Sequence, residues 1–136
     1  MNSNLLLASQ TGDIDVVISA LDMGANINIG APNPHLWATP LYLASRNNHV
    51  NIVNLLVERG AHLNKTDFHG MTPLYIASHN GHVEVVRILA DGGADIERCS
   101  YSMHTPLYTA SYHGHVEVVA LEVAVIGDLT ISIYLF

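Results

Sequence analysis

A chain of 136 residues and 14.7 kDa has room for one continuous core and excludes two packed domains. Apolar residues make up 49% and Asp, Glu, Lys and Arg only 12%, which argues against disorder over most of the length. Twelve acidic against five basic side chains give a net charge of −7 with neutral histidines, and Lys65 is the sole lysine, so the cationic footprint that nucleic acid or an anionic membrane demands is lacking.

In chain order, the first segment carries Leu7-Ala8-Ser9-Gln10-Thr11-Gly12-Asp13-Ile14-Asp15-Val16-Val17 and closes at Gly24-Ala25. A loop follows, from Asn28 to Thr39, containing Pro32-Asn33-Pro34-His35-Leu36-Trp37. Thr39-Pro40-Leu41-Tyr42-Leu43-Ala44-Ser45 then opens a segment that recurs from Thr72 and from Thr105, each 33 residues after the last. The threonine hydroxyl suits a helix N-cap and the proline suits the first helical position, so each block predicts a short helix. Asn47-Asn48, Asn80-Gly81 and His113-Gly114 predict turns. After them Val50, Val53, Leu56 and Val57, and in the next copy Val83, Val86, Leu89 and Ala90, fall at helical spacing; Gly60 and Gly93 supply the stops. The chain reads as four copies of one helix-turn-helix-loop unit, about 3–35, 36–68, 69–101 and 102–120, making up an array over 1–120. Helices of about ten residues cannot stand alone and must bury their stripes against neighbouring units.

These blocks resemble the ankyrin repeat, with its Thr-Pro-Leu-His-x-Ala opening, its Gly-His turn before a valine-rich second helix and its Gly-Ala-Asp-x-Asn loop at a 33-residue interval. The resemblance implies an all-α fold, a solenoid of stacked helix pairs with projecting loops. Four departures stand out. The family's opening histidine is Tyr42, Tyr75 and Tyr108, which puts its hydrogen bond to a neighbouring threonine in question; the rings are expected to stack partly between units. The first loop is three residues longer than the one from Asn64 to Thr72. Met103 replaces Gly70, so a distorted loop tip is expected. Lastly, the fourth unit is expected to break after Val119. Glu122 stands where Leu56 and Leu89 stand, Ile126-Gly127 replaces Gly60-Ala61 and Gly93-Ala94, and residues 121–136 form a degenerate apolar tail whose Leu129 to Phe136 alternates like a strand.

The chemistry-bearing residues favour binding over catalysis. Nine histidines suggest a metal, with His79 and His82 three apart, His113 and His115 two apart, and His69 nearby; yet His49, His82 and His115 occupy one repeat position, where the resemblance already implies a turn histidine. Ser45, Ser78 and Ser111 recur periodically, which fits packing better than a nucleophile. Cys99 reads as a loop cysteine, and Gly92-Gly93 as a helix stop rather than a phosphate loop. No cofactor is expected. The lone cysteine makes no internal bridge, which points to a reducing, intracellular and most simply cytoplasmic setting. Met1 to Gln10 lacks the features of a secretory signal, and no apolar stretch is long enough for membrane insertion.

The resemblance implies that partners are met by loop tips and the exposed inner face of the first helices. By position this selects His35, Leu36, Phe68, His69, Tyr101 and Ser102 on the tips, and Arg46, Asn47, His79, Asn80, Tyr112 and His113 on the face. Trp37 is either an anchor or a lid over the first junction. Asn28 and Asn64 resemble loop asparagines that oxygenases hydroxylate in some members. The expected function is non-catalytic binding of another protein, with a monomer expected unless the tail self-associates. Alternatives are a scaffold segment of a larger ankyrin-containing adaptor or enzyme, and a histidine-based metal-binding domain. Protonating every histidine takes the formal charge from −7 to +2, so binding to a charged partner should change between about pH 7 and 5.

Overall fold

The computed structural model describes residues 1–31 and 37–135. Among them every regular element is a helix: α1 (Asn2–Thr11), α2 (Ile14–Asp22), α3 (Pro40–Arg46), α4 (Val50–Glu58), α5 (Pro73–Asn80), α6 (Val83–Asp91), α7 (Pro106–Tyr112) and α8 (Val116–Leu135). The starts follow local chemistry. Thr39, Thr72 and Thr105 accept at Oγ1 from the backbone N–H of Tyr42, Tyr75 and Tyr108 at 3.1–3.2 Å, each cap being worth about 1 kcal/mol. The threonine hydroxyl thus bonds to backbone and does not depend on the side chain of the aromatic residue. Asp13 caps α2 in the same manner through Val16 N–H.

The odd-numbered helices pack side by side in one layer and the even-numbered helices in a second. One core runs through all four units, with Leu5, Val17, Leu41, Ile52, Leu56, Leu74, Val85, Leu89, Ala110 and Val118 buried in it. Full burial of a leucine such as Leu56 or Leu89 contributes roughly 2 kcal/mol.

The units are also joined at the turns. Nε2–H of His49 donates to the carbonyl of Gln10 at 2.9 Å, that of His82 to Arg46 at 3.0 Å and that of His115 to His79 at 2.9 Å; since a carbonyl only accepts, the proton resides on Nε2. A side chain at Gly12 or Gly81 would collide with the ring of His49 or His115, so glycine there makes room for the next unit's histidine. Between loops, Asn28 Oδ1 accepts from His62 N–H at 2.8 Å and Asn64 Oδ1 from Asp95 N–H at 2.9 Å. Both asparagines are half-buried and serve as links between units.

Two expectations are corrected. Met103 takes φ +63° where Gly70 has +75°, and its N–H reaches Ser100 O at 2.9 Å as Gly70 N–H reaches Asp67 O, so the tip keeps its shape at a backbone cost of about 1–2 kcal/mol. The C-terminal segment does not form a strand; α8 runs unbroken from Val116 to Leu135, through the point after Val119 where the repeat pattern lapses. In α2, α4 and α6 a glycine at φ +81° to +93° (Gly24, Gly60, Gly93) ends the helix, and the N–H of the next alanine turns back to the carbonyl five residues earlier. Ile126 occupies that position in α8. A β-branched residue resists left-handed φ, and once a helix is nucleated each added residue gains a hydrogen bond, so the helix runs on.

Candidate protein-binding surface

The fourth unit and α5 enclose an open groove of about 310 Å³ along the first helices. Its wall is an aromatic ladder at i, i+4 spacing: His104 stacks on Tyr108 with centroids 4.2 Å apart, and Tyr108 lies nearly parallel to Tyr112 at 6.3 Å. His113 meets Tyr112 edge-on at 5.2 Å and His79 at 4.3 Å, closing the ladder against α5. His79 is fixed by a 2.9 Å hydrogen bond between Nδ1 and Thr109 Oγ1. Burial, then the neighbouring His113 and His115, hold its pKa below the usual histidine value. No Asp, Glu, Lys or Arg lines the groove, so its recognition chemistry is apolar surface, π faces and neutral hydrogen-bonding groups.

Of the residues selected from sequence, His79, Tyr112 and His113 come together here, Tyr112 being 75% exposed. Arg46, Asn47 and Asn80 are exposed on the neighbouring units. Asn47 turns its amide onto Leu43 O at 2.8 Å, while Asn80 donates to Arg46 O at 3.2 Å, so both amides serve the fold. On the tips, the Phe68 and His69 rings meet at a 39° tilt with centroids 3.7 Å apart, and Tyr101 lies across Gly70 with its N–H bonded to His69 O. Phe68, His69, Tyr101 and Ser102 are exposed, making a second patch. Trp37 is 63% exposed at φ +40°, so it does not cover the first junction as a lid. His35 and Leu36 lie outside the described residues.

Sequence reasoning missed Met71, Tyr75, His104, Tyr108 and Thr109 as groove residues. The spacing of His104, Tyr108 and Tyr112 was the available signal. The ring stacking expected between units is instead made along the fourth unit's own helix, while Tyr42 and Tyr75 are buried. Tyr42 donates its phenol proton to Asp67 Oδ2 at 3.0 Å; burial first, and then the Asp67 charge, push its pKa far above the ordinary phenol range. Of the histidines considered as metal ligands, His82 and His115 have Nε2 committed to carbonyls. Among the described residues no three His, Cys, Asp or Glu converge on a point that could hold a metal.

A sequence profile of ankyrin repeats in three copies matches residues 2–67 and 67–123. The chain belongs to the ankyrin repeat family. Within it, this ankyrin array is similar to protein fem-1 homolog C of Homo sapiens and of Mus musculus, 36% identical over 56 residues, which is 41% of this chain and 9% of each relative. The Xenopus laevis protein is 41% identical over 49 residues, 36% of this chain and 8% of the relative. The chain therefore spans about a tenth of the length of these curated relatives. No described helix is long and apolar enough to cross a membrane.

Proposed function

We propose that this ankyrin array is a non-catalytic module that binds another protein through its loop tips and the concave face of its first helices, in an intracellular, cytoplasmic setting. The observation that carries the reading is the uncharged aromatic groove, in which Tyr108 and Tyr112 are exposed while their backbone is fixed by a capped helix. Rigid tyrosines give large contact area at small entropic cost, and the tip patch of Phe68 and Tyr101 adds a second apolar contact of the same kind. Peptide display against the full chain tests this, with the Tyr101→Ala/Tyr112→Ala variant as counter-target. Sequences enriched on the native chain should lose at least tenfold in affinity on the variant; equal enrichment on both would remove the assigned surface.

A second reading, a scaffold segment within a longer ankyrin-containing protein, is favoured by Val116 and Val123, which stay 76% and 54% exposed at positions where α6 has half-buried Val83 and Ala90. An apolar outer face of that kind suits continued packing.

A further inference from the structure

We propose that the junction between the third and fourth units is a pH-gated hinge, held shut by the un-ionised carboxyl of Glu122 and released when that carboxyl loses its proton. Glu122 is fully buried, at the position filled by Leu56 in α4 and Leu89 in α6. Ser78 Oγ–H donates to Oε1 at 2.5 Å, and Oε2 has no partner. The equivalent serines of the earlier junctions, Ser9 and Ser45, have no partner for their hydroxyls, and α4 and α6 carry leucine at the Glu122 position, so among the described residues the serine-carboxyl pair is peculiar to the last junction. A single partner leaves either form of the carboxyl short of hydrogen bonds, the acid by one acceptor for its O–H and the carboxylate by several donors, and burial penalises the charged form far more heavily.

The titratable and charged groups on the packed elements supply no compensation. From α5 come Tyr75 and His79, from α6 Glu84, Arg87 and Asp91, from α7 Tyr108 and Tyr112, from the turn His113 and His115, and from α8 itself Glu117 and Asp128. None of them is hydrogen-bonded or ion-paired to Glu122; Arg87 pairs with Glu84. Burial raises the Glu122 pKa to about 7, against the opposing effect of the Ser78 bond.

A seated Glu122 therefore keeps its proton up to about pH 7, whereas an unseated one releases it at the ordinary carboxylate value. The closed junction is favoured at low pH and loses up to about tenfold per pH unit as pH rises toward 7, with no further change above. Opening would separate α5 from α7 and so split the aromatic groove, whose walls come from both units. His79 acts in the opposite direction: its depressed pKa means that acid favours opening below the ordinary histidine range.

The test is amide hydrogen exchange of the full chain between pH 5.5 and 7.5, corrected for intrinsic exchange rates, comparing α8 with α4 in the native protein and in E122L. His79 is present in both proteins, so the ratio of their α8 opening constants isolates Glu122. That ratio should rise at least tenfold from pH 5.5 to 7.5 while α4 stays level; a ratio constant within about threefold would overturn the hinge. Should E122L not fold, the carboxyl carbon of Glu122 in the native chain decides by NMR titration. A midpoint near 7 supports the proposal, and one near 4.5 refutes it.

Discussion

Asp67 and Ser100 occupy the same position in successive loops and show what one side chain contributes. Asp67, buried, accepts from the Tyr42 hydroxyl and from the N–H groups of His69 and Met71, tying the tip to α3. Ser100 is equally buried, yet its hydroxyl has no partner. The backbone geometry of the two tips matches, down to the Ser100 N–H to His104 O bond at 3.0 Å. A carboxylate at 100 would accept from Ser102 and His104 N–H, with the Tyr75 phenol in the place of Tyr42. Ser100→Asp is expected to stabilise the chain by about 1 kcal/mol, raising Tm by about 4 °C in calorimetry; an unchanged or lower Tm would show that the Asp67 arrangement does not transfer. Neither this nor the glycine-like conformation that Met103 takes could be read from sequence, because both depend on how a tip closes in space.

The helices were far more legible than the side-chain partnerships. Thr-Pro openings, polar turns and Gly-Ala closures are local signals repeated at a fixed interval, and each marks an element the fold contains. The C-terminal element was misread because alternation from Leu129 onward suggests a strand, whereas the decisive residue is Ile126, one position where a stop is missing. Restoring the stop tests this. The double substitution Ile126→Gly/Gly127→Ala recreates the Gly60-Ala61 and Gly93-Ala94 closures and should remove about nine residues of helix, read as lost ellipticity at 222 nm with fast exchange beyond 127. Unchanged helicity would mean that the end of α8 is held by something other than the absent stop. The binding groove was only half visible: His79, Tyr112 and His113 follow from repeat position, but His104 and Tyr108 join them through ring stacking, which a repeat frame does not encode.

For the whole molecule, the balance of charge sets colloidal behaviour. Few cations and nine histidines place the isoelectric point near 5.6, so mild acid removes net repulsion between molecules that carry Val116, Val123 and Leu129 on their surface. Static light scattering should show intermolecular interaction turning from repulsive to attractive close to pH 5.6 and back again at lower pH, with salt damping the repulsion on either side. A monotonic response would indicate that apolar contact, rather than charge, governs association. The stacking of the units is indifferent to much of this surface. Each turn histidine bonds to a main-chain carbonyl, contributed by Gln10, Arg46 and His79 in turn, a group that every residue carries. The turn link therefore does not depend on the side chains at positions 10 and 46, which can change what the array presents without touching it, whereas His79, whose ring also bonds Thr109 across the last junction, is tied to the architecture itself.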